Sequence, residues 1–434
     1  MIRGLVGIFV LIAIAWAFSL NRRQINWRTI AGGLVLQLML AAAFFKFGSW
    51  TQLAIDPVAR FFADVTRFSD KGAQMLFGPF IDDAAMQKLF GSQFYIFAFR
   101  VLPTIIFFSA LTSVLYYLGV LQRMVFAFAW VMKRLMRMSG AESLAAAGEV
   151  FLGQTESALL IKPYVPTMTR SEMMTLMIGG LATIAGGVMA AYIGMLSGGD
   201  QARALEISRN LLCASLMNAP AAIIMAKLLV PEIEAVNESL TVPRDRMGAN
   251  LFDAMAGGTT EGLKLALNVG AMLIAFVAFV HFLNYFLGGI GGVSFGGESL
   301  NACISRWSGG AFQGLSLQSI LGTLFAPLAW LAGVEGGQDL LKAGSLLGTK
   351  LALNEFISYD QLGQMKDSLQ PKTVFLMQFA LCGFANIGSI GIQIGGISTI
   401  APSQRETLAR FGVRALLGGT LATLLSAAMA GMFF

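Results

Sequence analysis

Long apolar runs separated by short basic turns set the pattern of the chain. The first runs from Ile2 to Leu20 and ends in Asn21-Arg22-Arg23, with Arg28 close behind, and the second covers about 30–47. Further runs lie near 94–120, 173–196, 208–230, 254–287, 372–397 and 408–433. Each approaches or exceeds the roughly 20 residues that a helix needs to cross the hydrocarbon of a bilayer. The pattern predicts an all-α polytopic membrane protein with eight transmembrane helices. The first run is too long for a signal-peptide core and has no small-residue cleavage site after it, so it reads as a retained span.

Three kinds of segment interrupt this pattern. Residues 50–90 mix Asp56, Arg60, Asp64, Arg67, Asp70, Lys71, Asp82, Asp83 and Lys88 with Phe61, Phe62, Phe68, Leu76 and Phe77. That stretch is too polar to cross and predicts an amphipathic helix on the outer surface. A second amphipathic stretch carries Arg123, Lys133, Arg134 and Arg137 beside Phe126, Trp130 and Met132, and a moderately apolar one covers 312–334. Finally, 142–163 and 338–360 are apolar but short and interrupted, and they hold Glu142, Glu149, Glu156 and Asn354-Glu355. Both predict re-entrant hairpins.

Charge then orients the chain. Lys and Arg concentrate in cytoplasmic loops, so the turns at Arg22–Arg28, Arg123–Arg137 and Arg405–Arg414 belong inside and both termini outside. The orders of parts over 94–230 and 254–433 match with opposite starting sides. Inverted repeats with short, Gly-interrupted segments at matching positions are the mark of secondary transporters. The second span of each copy is itself interrupted, at Thr183-Ile184-Ala185-Gly186-Gly187 and at Cys382-Gly383-Phe384-Ala385-Asn386. Asn386 and Ser389, three residues apart, are expected on one helical face lining a polar cavity.

Composition narrows the function. Of 434 residues, 56% are hydrophobic and 12% charged, against about 25% charged in soluble domains. The net charge of +6 fits basic cytoplasmic loops and calls for no nucleic-acid partner. Cys213, Cys303 and Cys382 are far apart, and His281 is the only histidine, which excludes metal sites and catalysis needing two. An intramembrane lipid- or prenyl-processing enzyme is the alternative from another class, and a solute-permeable channel is a third. The only paired acidic motif, Asp82-Asp83, lacks the spacing of a metal-binding box, and HExxH does not occur. No enzymatic activity is expected. Acidic groups in a bilayer cost about 2.5–3.5 kcal/mol or more, so they persist where a ligand, an ion or a partner meets them. The uncharged company of Glu156 and Glu355 (Gln154, Thr155, Asn354, Asn386 and Ser389) suits a neutral polyhydroxylated or amide-bearing solute.

Gly153-Gln154-Thr155-Glu156 followed by Lys162-Pro163-Tyr164, Leu347-Gly348-Thr349-Lys350-Leu351 before Asn354-Glu355-Phe356, and Cys382-Gly383-Phe384-Ala385-Asn386 with Ser389-Ile390-Gly391 occur in that order. Together they resemble the signatures of concentrative nucleoside transporters, of the bacterial eight-span type. The resemblance implies a homotrimer in the bacterial inner membrane that imports nucleosides of the uridine, cytidine and adenosine class by an elevator mechanism. A scaffold would comprise residues 1–120 and 251–311, and a transport domain 121–250 and 312–434. Gln154 would contact the nucleobase, with Thr155 and Glu156 reading it directly or through water. Val188 and Phe384 would wall the base, and Glu355, Asn386 and Ser389 would bind the ribose hydroxyls. No cofactor is implied beyond a coupling cation, H+ or Na+. Its site would be formed at Glu149, the backbone near Leu152 and Ile184, and Thr183. Glu149 replaces the asparagine usual in sodium-coupled members; a carboxylate there can ligate sodium or carry a proton. Gly388 stands where the family often has serine.

Overall fold

The computed structural model describes residues 2–46, 48–82, 85–86, 88, 96–198, 200–236, 248–295 and 297–434. Asp83 of the acidic pair therefore lies outside the described residues. Helices account for almost all regular structure, as the hydropathy pattern predicts. The one described sheet is the two-stranded β1 (Ser294–Phe295) and β2 (Glu298–Ser299), paired antiparallel with Ser294 opposite Ser299.

In the first third, α1 (Ile2–Ala17) and α2 (Trp27–Phe45) are the two apolar runs. Asn26 caps α2 by accepting from the Arg28 N–H at 3.1 Å. The predicted surface segment is a 30-residue helix, α3 (Gly48–Phe77). Next come α4 (Phe97–Tyr117) and the amphipathic α5 (Val120–Met136), joined through Gly119 at φ 75°. The first hairpin consists of α6 (Gly140–Glu149) and the short α7 (Glu156–Leu160), which pack on each other. A capping box between Ser139 and Glu142 starts α6, and one between Thr169 and Glu172 starts the following span. Each box satisfies two N–H groups that a helix start would otherwise leave orphaned.

That following span is broken into α8 (Arg170–Ala182) and α9 (Gly186–Ser197), and α10 (Gln201–Leu229) returns beside it. The second half repeats the series. It begins with α11 (Leu251–Gly291), 41 residues long, and continues through α12 (Leu300–Trp307) and α13 (Leu317–Leu331). The second hairpin is α14 (Gln338–Ala352) and α15 (Glu355–Met365), and a second broken span follows as α16 (Pro371–Ala380) and α17 (Ile387–Ile400). The last helix is α18 (Arg405–Ala430).

Among the described residues, six helices are long and apolar enough to cross a membrane if α8 and α9 count as one; α1, α13 and α17 are shorter apolar helices. Burial divides them. α10 is almost wholly enclosed, packed by α18, α2, α8 and α9, whereas α11 is mostly exposed and lies along α4. The core is thus a bundle of α8, α9, α10, α16 and α18.

One buried charge cluster holds this bundle at an end. The Lys227 ammonium, near the last turn of α10, pairs with the Glu142 carboxylate of α6 and donates to the Ser171 hydroxyl of α8 at 2.9 Å. Glu142 also accepts from the Thr175 hydroxyl at 2.9 Å. Three elements distant in sequence are joined there by charge-assisted hydrogen bonds, the stronger kind.

Candidate functional site

Two helix breaks meet at the centre of the bundle. α8 ends at Ala182 and α16 at Ala380, which leaves carbonyls without intrahelical donors. The side-chain amide of Asn218, mid-way along α10, donates to the Ala182 carbonyl at 2.7 Å and to the Cys382 carbonyl at 3.2 Å. Gly383 takes φ 122°, and a Cβ there would lie 2.5 Å from the Ala182 carbonyl oxygen. Only glycine lets the two breaks touch. As the sequence predicts, both spans are discontinuous, so backbone polar groups are available where a continuous helix would consume them.

At the second hairpin, Asn354 accepts from the Ile357 N–H at 3.0 Å and so starts α15 at Glu355. Glu355 is buried, and its carboxylate accepts from the Asn386 side-chain amide at 2.9 Å. The carbonyl oxygen of Asn386 in turn accepts from the Ser389 N–H at 2.8 Å. This corrects the expected shared helical face. Asn386 is the N-cap of α17, in extended backbone outside the helix, and it reaches Ser389 through its cap. Lys350, which could have neutralised Glu355, donates instead to the Ala380 carbonyl at 3.0 Å and faces Thr423 at 3.4 Å.

At the first hairpin, Glu156 opens α7 and folds its carboxylate back onto the Gly153 N–H. Glu149 is fully buried; the groups that approach its carboxylate are the Ser157 hydroxyl and the Gly180 N–H, and no cation pairs with it among the described residues. It packs on bare Gly179 of α8. Thr183, also buried, donates to the Gly179 carbonyl at 2.8 Å, which leaves its hydroxyl oxygen lone pairs free to accept. Leu152 and Ile184 are both buried in the core.

A cavity of about 290 Å³ opens between this hairpin, α9, α4 and α11. It is lined by Leu152, Thr155, Glu156 and Val188 from the predicted set, and by Ser109, Ser113 and Tyr116 of α4. From α11 it receives Glu261 and Leu265, a carboxylate beside an apolar side chain. Gln154, Glu355, Phe384, Asn386 and Ser389 are not among its lining residues. α9 connects the two regions. Val188 faces the cavity, and Tyr192, four residues on and therefore on the same face, stacks on Tyr359 of α15 at 4.2 Å between ring centroids. On its far side the cavity is closed by Phe108, which lies against bare Gly186 and Gly187 and stacks on Phe62 at 5.4 Å. A second cavity of about 360 Å³ lies between α3, α4, α9 and α10 and is lined by Arg60, Arg67, Arg100, Asp64 and Asp70 among others.

The sequence reading missed Lys227, Glu261, Tyr192 and Asn218. Asn218 and Lys227 were detectable in principle as polar residues inside apolar spans. The rest depend on which faces meet.

A helical multi-pass fold with paired hairpins, two broken spans and polar groups gathered where they cross defines a membrane transporter rather than an enzyme. Comparison with known proteins specifies which kind. Residues 6–80 and 210–431 match the N-terminal and C-terminal Na+ dependent nucleoside transporter families, and residues 98–198 match a family described as nucleoside recognition. The nucleoside permease NupC of Helicobacter pylori is 36% identical over 99% of this chain and 97% of its own length. The structure of CNTnw in an inward-facing substrate-bound state superposes with a TM-score of 0.87 at 38% identity, covering 100% of this chain and 97% of that one. An outward-facing CNTnw structure gives 0.87 at 37% identity, covering 100% and 97%. The chain belongs to the concentrative nucleoside transporter family, whose members are permeases and not enzymes.

Proposed function

We propose that this protein is a cation-coupled symporter that carries nucleosides of the uridine, cytidine and adenosine class into the cell across a bacterial inner membrane. Glu149 is the observation that carries the coupling. A carboxylate with no cationic partner among the described residues, wholly removed from water, is stable only when a cation or a proton neutralises it. We read it as the carrier of a proton. Sodium is the second reading, favoured by the Thr183 hydroxyl and the backbone at Leu152 and Ile184, and by the family's description as Na+ dependent.

Glu355, Asn386 and Ser389 take the ribose hydroxyls in this reading. An ionised carboxylate accepts from two vicinal hydroxyls at once, and such bonds are about twice as strong as neutral ones. Gln154, Thr155 and Glu156 read the base edge, and Val188 and Phe384 wall it. The moving unit comprises residues 121–250 and 312–434, carried elevator-fashion against a scaffold of 1–120 and 251–311. The contrast between enclosed α10 and exposed α11 supports that division. The molecule works as a homotrimer, with eight crossings, two re-entrant hairpins and both termini in the periplasm.

The test is uptake of labelled uridine into proteoliposomes under two imposed gradients. An acid-outside gradient at fixed sodium is expected to drive accumulation, and Glu149→Gln to abolish it. Strong drive by sodium at fixed pH would overturn the proton and assign the metal ion. No accumulation under either gradient would make the protein a channel.

A further inference from the structure

Gly180 of α8 seats two carboxamides from different elements. A Cβ built there would lie 2.8 Å from the Gln154 Cβ and 2.8 Å from the Gln393 Nε2, so the absent side chain lets the hairpin tip and α17 close on the same point. Gln393 is fully buried and donates from Nε2 to the Met177 carbonyl at 2.9 Å. That bond fixes the plane of its carboxamide. Its Oε1 has no hydrogen-bond partner, and neither has the Oε1 of buried Gln154. Two acceptors without donors thus belong to side chains that meet at one glycine, in a core where such atoms are nearly always satisfied.

We propose that Gln393 is a positioning residue for Gln154. Its pinned Oε1 accepts from the amide nitrogen of Gln154 when a nucleoside fills the site, and so selects which end of the Gln154 carboxamide meets the base. The inference rests on the reading of Gln154 as the base contact. The placement of Gln393 on α17 gives it a second consequence. It lies four residues beyond Ser389, on the same helical face, and both are buried. One helix therefore carries the groups assigned to the sugar at its start and the group that sets the base contact one turn later. A shift of α17 on sugar binding would be felt directly at Gln154.

The experiment is uridine transport kinetics on the full chain in proteoliposomes, with melting temperature measured on every variant. Gln393→Met keeps the side chain's length and removes both amide functions. The half-saturating uridine concentration is expected to rise roughly three- to ten-fold, the size of one hydrogen bond, with the maximal rate and melting temperature unchanged. Gln393→Asn, which keeps both functions on a shorter stem, should fall between the parent and Gln393→Met. Combining Gln393→Met with Gln154→Ala should cost no more than Gln154→Ala alone. An unchanged half-saturation, a fall in maximal rate alone, or additive losses would overturn the proposal, and the same series with Gln393→Leu guards against a folding defect in one variant. If Gln154→Ala itself leaves half-saturation unchanged, the base-contact reading fails. If Gln154→Ala weakens transport and Gln393→Met does not, only the positioning role falls.

Discussion

The Asn386 side chain donates to the Glu355 carboxylate at 2.9 Å while its own oxygen is held by the Ser389 N–H, so one amide both starts a helix and aims a buried acid. Because these roles share a single group, their losses should not add. Glu355→Gln and Asn386→Ala are each expected to weaken uridine uptake at least about ten-fold, with a coupling of about 0.5–3 kcal/mol in the double-mutant cycle. Additive losses in measured half-saturation would mean that the two groups act independently.

Gly383 makes a prediction about stability. With φ at 122° and a Cβ position 2.5 Å from a backbone oxygen, alanine cannot be accommodated without separating the two helix breaks. Gly383→Ala should lower the melting temperature in detergent and abolish uptake. Gly391→Ala, where nothing lies within 4 Å, should stay within about 0.5 kcal/mol of the parent. Equal behaviour of the two variants would contradict the close approach.

The Lys227–Glu142 pair is buried, so removing one partner strands a charge. Lys227→Met should destabilise the protein by about 3–5 kcal/mol, and adding Glu142→Gln should recover much of that loss. Chemical unfolding of the single and the double variant against the parent checks the sign. A double variant no more stable than Lys227→Met would show that the lysine acts through packing alone.

Arg209 of α10 grips Asp56 of α3 with two bonds, at 2.8 and 2.6 Å. This pair crosses the boundary proposed between moving and fixed parts, so it must break in each transport cycle. Its partial exposure keeps its worth near ~1 kcal/mol, enough for about a five-fold shift in population. Asp56→Asn should depopulate the present arrangement accordingly, read as a changed distance distribution between spin labels at exposed Met75 and Val413. An unchanged distribution would place the boundary elsewhere.

Much of this architecture could be read from the chain because a bilayer is an unforgiving solvent. Glu149, Glu156 and Glu355 stood out among apolar neighbours, and the glycines at the two breaks marked where helices fail. What could not be read was mutual position. Periodicity placed Asn386 and Ser389 on one helix, but the break ends one residue later than that reading needs, and the asparagine became a cap. Likewise, Glu261 lies in the polar start of α11, between Thr260 and Lys264, where a carboxylate reads as an ordinary solvated charge, and only the fold sets it on the cavity wall. Pattern along a sequence records burial well and records partners poorly, since a partner is a fact about another segment.

The length of α11 has a consequence for the membrane itself. At 1.5 Å per residue, 41 residues span roughly 60 Å, about twice the hydrocarbon thickness. Such a rod must lean far over or stand proud of the lipid, and any lean makes its angle answer to how thick the surrounding sheet is. Because α4 lies along it, thinning or thickening the lipid would tilt one whole flank of the solute cavity.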